Sequence, residues 1–86
     1  MNKKQSDMEN NFIWVLTNNE GVFIKACATR ENAVVEMEKW RNNCERIGIF
    51  ANVSKVDAFY YEQISFEVTH RDGTVWKMEA RRTTLY

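Results

Sequence analysis

Few side chains in this sequence could carry catalysis. His70 is the only histidine, and it lies beside Arg71 and Asp72, where we expect a solvated turn residue. No local signature links Cys27 or Cys44 to it, so a cysteine–histidine nucleophile is not indicated. The acidic residues are scattered as on a solvated surface, not paired as a general acid and base. We therefore expect a protein that is not an enzyme.

The same residue types do not indicate a metal site or a cofactor site. Two cysteines and one histidine cannot supply four zinc ligands without carboxylates, and their spacing matches no zinc motif. The three glycines are accounted for by two turns and one helix end, so no glycine-rich phosphate loop remains. We expect no metal and no cofactor. Both cysteines are expected to be reduced packing residues of a cytoplasmic protein.

Charge and hydropathy argue against two broad classes of protein. Twelve basic residues balance twelve acidic ones, so the chain lacks the basic excess of a general nucleic-acid binder. The longest apolar run, residues 12–16, is far too short to span a membrane. A chain of 86 residues predicts one domain with a thin core. We expect a flexible polar tail over residues 1–11 and a single domain over residues 12–86.

Two turns of identical spacing predict two β-hairpins. Asn19-Glu20-Gly21 and Arg71-Asp72-Gly73 each place glycine third between alternating apolar runs. This suits a three-residue loop in which the glycine is left-handed. The resulting cross-strand pairs are Phe12–Ala28, Trp14–Ala26 and Leu16–Ile24 in the first hairpin, and Ile64–Ala80, Phe66–Met78, Val68–Trp76 and Glu67–Lys77 in the second.

Between the hairpins the pattern becomes that of an amphipathic helix. Thr29 can cap a helix that begins at Arg30, and Gly48 supplies its C-terminal stop. Apolar residues at helical spacing form one stripe: Ala33, Met37, Trp40, Cys44 and Ile47. We expect this stripe to pack on Phe12, Trp14, Leu16, Phe66, Val68, Trp76 and Met78. After the helix, a strand within residues 49–56 is favoured, and a short helical turn through residues 54–61 is the alternative.

These elements predict an α+β fold. We expect an antiparallel sheet of four to five strands in the order ββαβββ, with one long amphipathic helix packed on one face. Residues 12–40, FIWVLTNNEGVFIKACATRENAVVEMEKW, resemble the opening of small uncharacterised proteins of bacteria and their phages. The resemblance implies a hairpin-plus-helix core and a phage or mobile-element origin. It brings no catalytic residues.

The second face of the first hairpin is a candidate interaction surface. It is predicted to carry Ile13, Val15, Thr17, Phe23 and Cys27, interrupted only by Lys25. A half-exposed strand is usually polar on that side. Either residues 49–61 or the C-terminal tail cover this face, or it is an exposed patch used for association. We predict a homodimer whose seam consists of Ile13, Val15 and Phe23.

Aromatic and basic residues give two further candidates. Three adjacent aromatics, Phe59-Tyr60-Tyr61, cannot all point inward, so Tyr60 and Tyr61 are predicted anchors for a partner. The alternative is that the tyrosines shield a buried Phe59. Lys77, Arg81 and Arg82 are the predicted charged contacts, with Arg82 on the side of its strand opposite Arg81. The alternative for them is a solvated face with cross-strand ion pairs.

We expect a small interaction protein without enzymatic activity that binds a protein partner. The specific prediction is a phage or mobile-element inhibitor of a host defence protein that acts by surface binding. One alternative is a small-ligand or nucleotide binder with a pocket between subunits. The other is a nucleic-acid-binding regulator, against which the balanced charge argues.

Overall fold

A computed structural model of the protein describes residues 12–84, and the prediction made for residues 1–11 lies outside them. The described chain is an α+β fold in the predicted ββαβββ order, with a five-stranded antiparallel sheet in the order β2-β1-β5-β4-β3. The elements are β1 Phe12–Thr17, β2 Phe23–Cys27, α1 Arg30–Ile47, β3 Asn52–Val53, β4 Gln63–Thr69 and β5 Val75–Thr84.

Helix α1 begins and ends where the sequence predicts. The Thr29 hydroxyl accepts a hydrogen bond from the backbone N–H of Asn32 at 3.1 Å, which satisfies a free donor of the first turn. Gly48 has φ +77°, the left-handed conformation that stops a helix. Of the predicted stripe, Ala33, Met37 and Cys44 are buried, and Trp40 is half-buried with its ring 5.6 Å from that of Phe66. The stripe prediction is wrong for Ile47, which lies in the last turn and is 52% exposed.

The second hairpin is confirmed in register. Its loop is three residues long, with Gly73 at φ +92° and the backbone of His70 bonded to that of Thr74 at 2.7 Å. All four predicted cross-strand pairs are present between β4 and β5. The alternation of apolar and polar residues therefore decides the pairing here.

The first hairpin follows the predicted register only next to its turn. Gly21 has φ +78°, and Thr17 pairs with Phe23 as a three-residue loop requires. A β-bulge then shifts the register by one residue, so that Leu16 pairs with Lys25 and Trp14 with Cys27. The predicted pairs Leu16–Ile24, Trp14–Ala26 and Phe12–Ala28 are therefore wrong.

The bulge changes which residues of β2 face the helix. Cys27, predicted on the second face, lies opposite Trp14 and is buried in the core. Lys25 faces α1, where its ammonium nitrogen lies 3.2 Å from a carboxylate oxygen of Glu36. The bulge thus turns the Cys27 side chain into the core and gives Lys25 an acidic partner.

The core lies between α1 and one face of the sheet. Its buried members are Trp14, Leu16, Cys27, Ala33, Met37, Cys44, Ile64, Phe66, Val68, Met78 and Ala80. Trp76 lies on the predicted face but is 39% exposed, because it stands near the end of its hairpin beside His70. Phe12, predicted to pack against the helix stripe, is half-buried and lies under the guanidinium group of Arg82.

Residues 49–61 form mostly irregular structure along the β4 edge. A strand is present as predicted, but it covers only Asn52–Val53. The side chain of Arg41 in α1 holds this segment by donating to the carbonyl oxygens of Ser54 at 2.9 Å and Val53 at 3.3 Å. The segment lies at the edge of the sheet opposite β2. Its strand therefore lies away from the outer face of the first hairpin, which residues 49–61 or the C-terminal tail were predicted to cover; residues 85–86 of that tail lie outside the described residues.

Candidate functional site

The most exposed apolar surface of the described chain is a loop of three consecutive aromatic residues, Phe59, Tyr60 and Tyr61, which we call the aromatic loop. Their exposed fractions are 84%, 68% and 61%. The edge of the Phe59 ring meets the Tyr60 ring at a centroid distance of 5.0 Å. The alternative in which the tyrosines shield a buried Phe59 is therefore wrong.

Backbone contacts fix both ends of the aromatic loop. Asp57 exchanges two backbone hydrogen bonds with Ser65 of β4, at 2.7 and 3.0 Å. The Asp57 carboxylate also accepts a hydrogen bond from the N–H of Phe59 at 3.0 Å. The loop is thus anchored to the sheet just before its aromatic residues, and β4 begins two residues after them.

Arg30, in the first turn of α1, holds the aromatic loop from the helix side. Its Nη2 donates to the carbonyl oxygen of Ala58 at 2.8 Å, and its Nε donates to that of Tyr61 at 3.0 Å. Its guanidinium carbon lies 5.0 Å from the centre of the Tyr61 ring. Sequence reasoning missed this role. The available signal was a basic residue at a helix N-terminus, where the helix dipole disfavours positive charge.

Arg82 lies on the opposite side of β5 from Arg81, as predicted, and it is built into the fold. Its guanidinium carbon stacks 3.6 Å from the centre of the Phe12 ring. The same group bonds a carboxylate oxygen of Glu62 at 2.9 Å. The backbone N–H of Arg82 also donates to the Glu62 carbonyl oxygen at 3.1 Å. Arg82 therefore ties the end of the aromatic loop to β1 and β5.

The structure brings together three of the five predicted partner-binding residues. Tyr60, Arg81 and Arg82 line one shallow depression together with Glu62 and Gln63. Tyr61 adjoins this depression, because its ring centre lies 5.8 Å from the guanidinium carbon of Arg82. The Tyr61 ring also meets that of Trp14 edge-on, at a centroid distance of 6.1 Å.

Lys77 lies apart from that group. It stands four residues before Arg81 on β5, which corresponds to about 13 Å along an extended strand. It lines a different depression, beside Asn18 and Val75. Lys77 pairs in register with Glu67, as predicted for a solvated outer face.

The predicted dimer seam lies on the outer face of the sheet. Ile13 and Val15 pair there with Thr83 and Arg81, and both are half-buried. Phe23 stands at the end of β2 and is 60% exposed. The dimer itself stays a prediction.

Charges around the aromatic loop are balanced. Arg81 lies 3.1 Å from Glu79, and Arg82 lies 2.9 Å from Glu62, so each of these guanidinium groups already has a carboxylate partner. An anion would have to share these guanidinium groups with the carboxylates, which already offset their positive charge. The electrostatics at this site therefore suit a neutral or mixed surface better than a phosphate.

His70 occupies a different place from the solvated turn position predicted for it. Its ring lies between those of Trp76 and Phe50, at centroid distances of 4.2 and 5.1 Å. Its Nε2 is buried and has no hydrogen-bond partner among residues 12–84. Within the same residues, no cluster of three His, Cys, Asp or Glu side chains could hold a metal ion.

Both thiols are free and buried. Burial raises the pKa of Cys44, and burial with a smaller contribution from Glu36 raises that of Cys27. Raised pKa values keep these thiols protonated near neutral pH and disfavour nucleophilic chemistry at them.

Comparisons with protein-family models, curated proteins and solved structures found no significant match to the chain. No helix among residues 12–84 is long and apolar enough to cross a membrane. The architecture alone therefore establishes the α+β class.

Proposed function

We propose that this protein is a non-enzymatic binding protein whose aromatic loop is the anchor for a protein partner. The observation that carries the proposal is that three consecutive aromatic side chains are each more than 60% exposed on a loop held by hydrogen bonds at both ends. Large aromatic side chains supply much of the binding energy where proteins associate. Isolated exposed apolar residues are common, but three adjacent ones form a patch.

Pre-organisation supports the proposal. Binding through a mobile loop loses affinity to the entropy of ordering the loop. Here Arg30 bonds the carbonyl oxygen of Ala58, just before the loop, and that of Tyr61, at its end, and Asp57 joins the preceding backbone to β4. Folding therefore already orders the backbone that carries the rings, so partner binding loses less entropy by ordering this loop.

The nature of the partner follows from the balanced charge. The depression next to Tyr60 is lined by Arg81, Arg82 and Glu62, which provides both donors and acceptors beside the exposed aromatic rings. A protein surface supplies matching groups of both signs. A nucleotide or nucleic acid supplies only negative charge, so we favour a protein partner over these two alternatives.

The finer prediction from the sequence, a phage or mobile-element inhibitor of a host defence protein in the cytoplasm, extends this proposal. Binding alone can inhibit, because a partner covered at its own working surface loses access to its target. Two free thiols support a reducing compartment.

The experiment is affinity capture from the native host with three forms of the chain: wild type, Tyr60→Ala and Ile49→Ala. Ile49 is a matched control, because it is 60% exposed and lies outside the aromatic loop. We expect the wild type and Ile49→Ala to retain similar amounts of one protein. The amount retained by Tyr60→Ala should be lower by about tenfold or more, as for an interface anchor. Equal retention by all three forms would contradict the proposal.

Two further measurements separate the alternatives. Stabilisation against heat by a nucleotide, growing with its concentration, would favour a ligand-binding protein. Affinity for DNA or RNA that falls steeply with salt would favour a nucleic-acid regulator.

A further inference from the structure

Strand β2 forms an open edge of the sheet. The strand order places β2 outermost, next to β1 alone, so the backbone groups on its other side have no strand partner among residues 12–84. Of its five residues only Cys27 is buried. Val22, which immediately precedes β2, is 51% exposed, and Phe23 and Ile24 within the strand are 60% and 49% exposed. An exposed apolar edge of this kind tends to pair with another strand.

The usual protections against edge pairing are weak on β2. It contains no proline, and its one charged residue is Lys25. That lysine is turned toward α1, where Glu36 binds it at 3.2 Å and also lies 3.8 Å from Lys39. The positive charge of Lys25, which would repel an incoming strand, is therefore neutralised by Glu36 and lies on the helix side of the sheet.

A depression lies beside this edge, between β2 and α1. Its lining is Leu16, Ile24, Lys25, Glu36, Lys39 and Trp40. An apolar floor with mixed charges at the rim suits an apolar side chain carried by a neighbouring strand.

We propose that β2 pairs antiparallel with β2 of a second copy of this chain, to give a dimer with one continuous sheet. Antiparallel self-pairing creates a two-fold axis perpendicular to the sheet. Both helices then lie on the same face of the continuous sheet. Ile24 of one copy then meets the depression of the other, and the exposed apolar residues of the two edges cover each other. The same edge supplies both the protruding side chain and the site for it, as a two-fold interface requires.

The fold also explains why pairing stops at two copies. The opposite edge of the sheet, β3, is a strand of only two residues, Asn52–Val53. A two-residue edge offers few backbone hydrogen bonds to a further copy. Pairing of β2 with a second β2 occupies the longer of the two edges of the described sheet. The interface is small, so we expect a reversible dimer that dissociates on dilution. This inference does not depend on the aromatic loop.

The test is sedimentation equilibrium of the full chain over a range of concentrations, with two lysine variants of matched exposure. Val22→Lys changes the residue that leads into β2, and Val75→Lys changes the first residue of β5, on the outer face and outside the β2 edge, at 51% and 52% exposure. We expect wild type and Val75→Lys to dimerise equally. Val22→Lys should weaken the dimer by about tenfold or more, because unpaired charge would be placed at the contact.

Circular dichroism of both variants controls for folding, and Ile24→Lys is a second edge variant should Val22→Lys unfold. A wild-type chain that stays monomeric at the highest concentration would overturn the proposal. So would dimers that both edge variants leave intact, or that Val75→Lys alone disrupts. Disruption by Val15→Lys without disruption by the edge variants would instead support the outer-face seam.

Discussion

Arg30 and Tyr61 lie 31 positions apart in the sequence, yet the Nε of the arginine donates to the tyrosine's carbonyl oxygen at 3.0 Å. The guanidinium also lies 5.0 Å from the tyrosine ring. One side chain from the start of the helix therefore sets both the backbone and the ring position of the proposed binding loop.

Replacing Arg30 should loosen the aromatic loop without unfolding the protein. We expect Arg30→Ala to lower the free energy of unfolding by about 1–2 kcal/mol, because hydrogen bonds to two backbone carbonyl groups are lost near the surface. Amide hydrogens of residues 59–63 should exchange faster. Urea unfolding and hydrogen exchange measure the two effects.

The control for this prediction is Arg46→Ala, in the last turn of the same helix. Arg46 is exposed and bonds only the neighbouring side chain of Asn43 among the described residues. We expect a change within about 0.5 kcal/mol for it. Similar losses in both variants would mean that Arg30 has no special role.

Two phenylalanines of opposite exposure give a test of the fold and the site together. Phe66 is 1% exposed and packs against Trp40, so Phe66→Ala should cost about 3–5 kcal/mol through lost burial and a cavity. Phe59 is 84% exposed, so Phe59→Ala should change stability by about 0.5 kcal/mol or less while weakening partner binding. Denaturation curves check the first quantity, and capture of the partner checks the second. A large stability loss in Phe59→Ala would show that the loop serves folding instead.

The sequence alone predicts those features of the fold that depend on neighbouring residues, and it misses those that depend on distant contacts. The turns at Gly21 and Gly73 and the ends of α1 rest on local backbone requirements, and the structure confirms them. The bulge in β2 follows no such spacing rule. It accompanies the distant contact of Lys25 with Glu36, which only the folded chain brings together.

The candidate site shows the same division. Three adjacent aromatics predicted an exposed ring on local grounds, and the structure exposes all three. That Tyr60 and Arg81 share a depression while Lys77 does not depends on where the chain before β4 meets the end of β5. The identities of these residues alone therefore do not predict which of them share a depression.

The second turn should respond to acid. The Asp72 carboxylate accepts a hydrogen bond from the backbone N–H of Thr74 at 2.9 Å, and this bond lowers the pKa of Asp72. A carboxyl group whose pKa falls on folding stabilises the fold above its unfolded pKa, and that contribution is lost as the pH falls through the folded pKa.

We therefore expect the amide shift of Thr74 to titrate with a midpoint below that of the same carboxyl in a peptide of residues 70–75. The measurement is an NMR titration of both molecules. Asp72→Asn should abolish the acid transition at Thr74 and leave amides of the first turn unchanged. Equal midpoints in protein and peptide would refute the role of this bond.

His70 offers a test of what its ring contributes. The ring stands between Trp76 and Phe50, and its buried Nε2 lacks a partner within residues 12–84. His70→Ala should destabilise the protein by about 1–2 kcal/mol, because both aromatic contacts are lost. His70→Phe keeps a ring in place and removes the unsatisfied nitrogen, so it should be neutral or stabilising. Thermal unfolding of the two variants compares them directly. If His70→Phe is as damaging as His70→Ala, the imidazole itself is required, and a polar group that binds Nε2 must be sought.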